Sequence, residues 1–132
     1  MENEQIRPDI FSFSDHQSYL KAVFSFNKRQ RRAFSFAFCS RKLGISESYL
    51  KNVFARRRHL NLNLVAKVAR TFNLLKEEQG FLTLLVIRDQ TEDPEIRNHF
   101  DSILQIIAIA RNTVGPTKVI GISNNFLTIA RS

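Results

Sequence analysis

Gly44 stands between two short segments whose apolar residues recur at helical spacing, and no other position limits so sharply what this chain can fold into. Before it, Cys39 and Leu43 fall four apart; after it, Leu50 and Val53 fall three apart, with Ile45 in the angle between. A residue without a Cβ suits a chain that must leave one helix and swing steeply into the next. Ser46 is suited to cap the second helix, and the small Ser40 falls where the two helices would cross most closely. The spacing predicts helices over residues 36–43 and 47–55. On the second, the face opposite the apolar stripe carries Ser48, Lys51, Asn52 and Arg56, all able to hydrogen-bond to bases or phosphates.

One face packs and the other reads, which is the pattern of a helix-turn-helix DNA reader. The segment from about Phe34 to Phe72 resembles the lambda-repressor-like helix-turn-helix superfamily. The order Pro8-Asp9-Ile10-Phe11, Tyr19-Leu20, Phe34-Ser35-Phe36 and Leu43-Gly44-Ile45-Ser46 is more closely similar to a poorly characterised family of bacterial helix-turn-helix proteins. In that family the DNA-binding-like half is followed by a longer C-terminal region. The resemblance covers roughly the first two thirds of the chain. It implies an all-α fold of five to six helices, organised as a helix-turn-helix domain over residues 1–90 with a C-terminal helix and tail over 91–132. It also implies that Glu47 and Ser48 occupy the two positions that commonly touch base edges. Phage repressors often begin the first motif helix with Gln, which holds a phosphate; Phe36 stands here, so that contact is not carried over.

The distribution of charge points the same way. The chain carries a net +8, but residues 28–70 hold twelve Lys or Arg against Glu47 alone, a local +11 that leaves the remainder at −3. A positive field confined to one region attracts a polyanion without making the whole surface sticky. A solvated basic face is the plain alternative, and the coincidence of charge with motif favours double-stranded DNA as partner.

Along the chain, Ser14-Asp15-His16-Gln17 reads as a capping box for a helix reaching about Asn27, with Tyr19, Leu20, Val23 and Phe24 on one stripe. Asn63 is expected to cap a fourth helix carrying Leu64, Val65, Val68, Ala69 and Phe72 at core spacing. A fifth is expected over residues 76–88 around Phe81, Leu84 and Leu85. Pro94 suits the first turn of a sixth, whose entry is rich in acids. From Glu95 to Arg111, apolar residues occupy more than one stripe, so this helix needs two partners. One is its own domain; the other is read as a second copy through Phe100, Ile103, Leu104 and Ile107, because palindromic operators require paired reading heads. The alternative is a central helix wrapped by its own chain. After Gly115-Pro116 the tail, β-rich or amphipathic, reads as a docking or exchanged arm or a stub of a further region.

Phe-Ser-Phe recurs at residues 11–13, 24–26 and 34–36, but at unequal spacing, so no structural repeat follows. With 12 Phe and no Trp, a phenylalanine-rich core is the simpler reading; stacking on single-stranded bases would require Phe13 or Phe26 to be exposed. His16, His59 and His99 lack metal-ligand spacing, and there is no phosphate-binding glycine loop, so neither catalysis, metal nor cofactor is expected. One cysteine, a polar N-terminus and apolar runs too short to span a bilayer fit a reduced, cytoplasmic compartment with no membrane partner.

These readings combine into a mechanism. The helix from Glu47 enters the major groove N-terminus first, with Ser46 as its cap; Glu47, Ser48, Lys51 and Asn52 face bases. Arg56, Arg57, Arg58 and His59 run along the backbone, and Arg31 and Arg32, with Arg29, reach a flanking phosphate or the minor groove. Tyr49 either stacks on sugar or caps the core. The rival from another class is the same fold kept as a protein-interaction module, with the hydrophobic C-terminal helix as its surface. A third reading, an RNA or anionic-nucleotide binder at residues 29–32, rests on charge alone.

Overall fold

A computed structural model describes residues 6–131, with side chains described through Asn112. Among the described residues the fold is all-α: α1 (His16–Gln30), α2 (Phe36–Leu43), α3 (Glu47–Phe54), α4 (Val65–Thr71), α5 (Lys76–Gln90) and α6 (Pro94–Arg131), with short 3-10 turns at Ile10–Ser12 and Leu62–Leu64.

The first helix starts one residue later than its sequence suggests. Asp15, not Ser14, is the N-cap, and its carboxylate accepts from the Ser18 N–H at 2.8 Å. Gln17 therefore lies within the first turn, and its side chain is buried rather than folded back on the helix start. Tyr19, Leu20, Val23 and Phe24 form the expected buried stripe. The fourth helix also differs: Asn61 caps the 3-10 turn Leu62–Leu64, accepting from the Asn63 N–H at 2.8 Å, and α4 follows directly at Val65. Asn63 supplies a backbone donor instead of a cap. Both misplacements involve polar residues one or two positions apart and of similar capping propensity, where tertiary packing selects the register.

Around Gly44 the expectation and the structure agree closely. Gly44 has φ +70°, the left-handed conformation that ends α2, and the Ser46 hydroxyl accepts from the Tyr49 N–H at 3.0 Å to start α3. Cys39, Leu43, Leu50 and Val53 are buried where α2 and α3 meet, and Ser40 is buried beside them. Burial pushes the Cys39 thiol up to about 11, only partly opposed by nearby Arg31, so it stays protonated and inert.

One core joins all six helices. Phe24 stacks on Phe36 at 4.6 Å and meets Phe54 at a tilt at 5.2 Å, and Phe34 joins Phe38 to Phe72. The phenylalanines thus do what a phenylalanine-rich core requires. Phe13 packs edge-on against Tyr19 at 5.4 Å, and neither Phe13 nor Phe26 is fully exposed, which removes the stacking alternative of its structural premise. The segment before α1 closes the far side: Phe11 meets Phe81 at 4.8 Å, and Arg7 forms a two-pronged pair with Glu78 at 2.7 and 2.8 Å. Glu78 also accepts from the Leu75 N–H at 2.7 Å and so caps α5.

Asp93 opens α6, accepting from the N–H groups of Glu95 and Ile96, with Pro94 in the first turn. The helix lies along α5 and the Ile10–Ser12 turn. It remains helical through Gly115-Pro116 to Arg131, where a tail either β-rich or amphipathic was expected. A proline removes one hydrogen bond and bends a helix without having to end it. The docking-arm role expected for the tail's side chains lies outside the described residues. No helix among those described is long and apolar enough to cross a membrane.

Candidate nucleic-acid interface

The outer surface of α3 is built by default. Leu50, Val53 and Phe54 commit one face to the core, so Glu47, Ser48 and Lys51 stand exposed on the other. The Lys51 ammonium sits 5.1 Å from the centre of the Phe36 ring, which steadies its stem while leaving the charge in solvent. Asn52 is half-buried. Its carbonyl accepts from the N–H groups of Arg57 at 2.9 Å and Arg58 at 3.3 Å, and its side-chain oxygen accepts from the Arg57 guanidinium at 3.4 Å. Asn52 thereby also terminates α3, a duty its sequence position did not reveal.

The chain leaves α3 through Arg56, a non-glycine residue with φ 64°. Arg56, Arg57, Arg58 and His59 are all exposed, and the Arg56 Nε lies 4.0 Å from the Asp15 carboxylate, a loose contact at the start of α1. Arg58 lies over the Tyr49 ring at 5.3 Å. A shallow cleft of about 440 Å³ opens between Ser46 at the start of α3 and Arg58 and Asn61 in the loop.

What holds this basic loop is a set of polar side chains largely missed in the sequence. The Tyr49 hydroxyl donates to the His59 carbonyl and accepts from the Asn61 N–H, both at 2.9 Å, so Tyr49 pins the loop while its ring packs against the core. Gln17 donates to the Arg58 carbonyl at 2.8 Å, and Gln90 to the Leu60 carbonyl at 3.1 Å. His16 is fully buried: its Nε2 accepts from the Leu60 N–H at 3.0 Å, so the proton resides on Nδ1, which donates to Asp89 at 2.6 Å. The same Asp89 oxygen caps the His16 N–H at 2.8 Å. Four side chains from three separate helices, α1, α3 and α5, thus converge on residues 58–61. Sequence carries no local signal for this, since His16, Gln17 and Gln90 look like surface helix residues.

Burial acts against the Asp89 carboxylate, yet hydrogen bonds from the His16 ring and backbone and from Arg88 outweigh it and hold the carboxyl below its ordinary value. Arg88 bridges Asp89 at 3.0 Å and Asp101 of α6 at 2.7 Å. A polar chain therefore runs from α6 through Arg88, Asp89 and His16 to the base of the loop.

The remaining predicted residues are not gathered here. Arg32 is exposed in the turn after α1. Arg31 lies over Phe34 at 5.0 Å and Phe38 at 5.7 Å, on the side of α2 away from Lys51, so it does not share a surface with the loop. On α6, Leu104 is only 8% exposed and belongs to the chain's own core, with Ile107 packed beside it and Phe100 half-buried. Of the four residues read as a dimer surface, Ile103 alone is well exposed, at 43%; its exposed neighbours are Ile96 and Ile106, at 47% and 61%. No group of metal-ligating side chains occurs among the described residues.

No family model matches this chain, and neither a curated protein nor a solved structure is significantly similar to it.

Proposed function

We propose that the protein is a sequence-specific, DNA-binding transcriptional regulator of lambda-repressor-like helix-turn-helix type. The observation that carries this reading is the continuity of the exposed face of α3 with a basic loop held at four points by Gln17, His16, Tyr49 and Gln90. Three adjacent arginines repel one another, and fixing their backbone has a purpose if a polyanion lies across them. In this reading α3 enters the major groove from its capped end. Lys51 contacts guanine, and Glu47 accepts from cytosine N4 while repelling phosphate, so it favours selectivity over affinity. Ser48 reaches a base edge beside it. Asn52 both ends α3 and offers its amide to a base or phosphate. Ser46 and the cleft beside it receive a backbone phosphate, and Arg56, Arg57, Arg58 and His59 follow the strand. Two copies pair through the exposed isoleucines of α6 and present two reading helices to a symmetric operator.

Selection of bound duplexes from a random pool tests this, with Lys51→Ala/Asn52→Ala alongside. Enrichment of a two-fold-symmetric motif by the parent and not by the variant is the expected outcome; no enrichment by either would refute it. Arg57→Ala/Arg58→Ala should weaken binding to every sequence and reduce the slope of log affinity against log salt by about 2, since each phosphate contact contributes roughly 0.9. An unchanged slope would remove the loop from the interface.

A second reading, a protein-interaction module, draws on Ile96, Ile103 and Ile106 of α6, which leave an apolar stripe exposed on a face away from the core. A partner held there would bind with little dependence on salt, the opposite of a DNA complex.

A further inference from the structure

A hollow of about 780 Å³ lies where α1, α2 and α4 end, with Arg31, Lys42, Lys67 and Arg70 in its wall beside the Phe38 ring and Thr71. Among the described residues none of these four cations is paired with a carboxylate. Rings hold two of them in place: Arg31 lies 5.0 Å from the Phe34 centre, and the Lys42 ammonium 5.8 Å from that of Phe38. Lys67 extends toward the Gly44 turn, where its ammonium would lie 3.8 Å from a Cβ at that position.

The simplest explanation for cations here is the helix dipole, because the C-terminal ends of three helices meet at the hollow. Each end is equivalent to about half a negative charge, so three supply roughly −1.5 against four positive charges. An excess of about +2.5 stays within one concavity after that compensation. Like charges gathered without a counter-charge are destabilising, and an anion entering the hollow relieves them. Its volume falls within the roughly 300–1,000 Å³ of small-molecule sites, which exceeds what a single phosphate would fill.

The hollow is separate from the surface assigned above to DNA. Phe36 packs at a tilt against Phe54 of α3 and lies beneath Lys51, whereas Phe38 packs on Phe34, which in turn meets Phe72 at the end of α4. Two residues along a helix is a turn of about 200°, so the hollow lies on the opposite side of α2 from the reading helix. We propose that it is a binding site for a small ligand bearing two or more adjacent phosphate groups, gripped by Arg31 and Lys42 on one wall and Lys67 and Arg70 on the other. The inference stands whether or not α3 reads DNA.

Tripolyphosphate is the probe, titrated calorimetrically into the full chain at near-physiological salt. Two variants remove equal charge: Lys67→Gln/Arg70→Gln at the hollow and Arg57→Gln/Arg58→Gln at the loop. All four positions are exposed, and circular dichroism verifies that both variants fold. The expected result is saturable binding by the parent, weakened about tenfold or more by the first variant and by less than about threefold by the second. Equal weakening in both would mean a diffuse field and overturn the proposal, as would binding indifferent to Lys67 and Arg70. If the parent takes up no tripolyphosphate, the small-ligand site is refuted. Loss of duplex affinity in the Lys67→Gln/Arg70→Gln variant would then assign these cations to a nucleic-acid backbone.

Discussion

At the residue scale, two left-handed positions define how the exposed helix is framed. Gly44 takes φ +70° at its entry and Arg56 takes 64° at its exit. The space around Gly44 is open, with the Lys67 ammonium at 3.8 Å as the nearest atom to an added Cβ, so backbone strain alone governs substitution there. Gly44→Ala should cost about 1–2 kcal/mol in urea unfolding, the penalty for a left-handed L-residue. Gly44→Asn should lose distinctly less, because Asn tolerates that conformation. Equal losses would mean that contacts, not φ, set the requirement. The glycine was legible from sequence; the matching strain at Arg56 was not, because nothing in three consecutive arginines marks which one turns the chain.

At the scale of elements, the junction of α1, α5 and the basic loop depends on one ionised carboxylate. Because the Asp89 carboxyl sits below its ordinary value when folded, its contribution to stability is complete above the unfolded value and is lost as pH falls through the folded one. Stability should therefore be nearly flat on this account above about pH 4 and decline below it. Asp89→Asn should flatten that acid limb and cost about 1–3 kcal/mol at neutral pH, since it leaves His16 with a weakened buried partner. An acid limb of unchanged steepness in the variant would assign it to other carboxylates. Helix existence and order were readable from apolar period and turn residues, including Ser46 as a cap and Pro94 in a first turn. The caps at Asp15 and Asn61 were displaced by one or two residues. In each case two neighbouring polar side chains were chemically able to serve, and long-range packing chose between them.

At the scale of the whole molecule, α6 divides its apolar residues between two duties. Leu104, Ile107 and Ala108 face the chain's own core, while Ile96, Ile103 and Ile106 face outward. If these support a homodimer, Ile103→Lys/Ile106→Lys should sediment as a monomer at concentrations where the parent is a dimer, with its helical content retained. A parent that is itself monomeric at those concentrations would exclude the pairing. The sequence carried the excess of apolar positions on this helix but could not say which were internal, because that depends on how α6 rotates against α5 and the Ile10–Ser12 turn.

Local sequence determined what depends on period and on backbone permissiveness: an all-helical chain, a glycine turn joining two short helices, a phenylalanine-rich core, and an exposed face carrying Glu47, Ser48 and Lys51 opposite Leu50 and Val53. Only the tertiary structure decided which distant polar groups meet. It brought His16, Gln17 and Gln90 onto residues 58–61, joined α6 to that cluster through Arg88 and Asp89, and separated Arg31 from the loop arginines. The physical reason is range. Helical period and φ preference act within a few residues, whereas a hydrogen bond between elements far apart in the chain, thirty or more residues for the loop contacts, exists only after the core has set the distance between them.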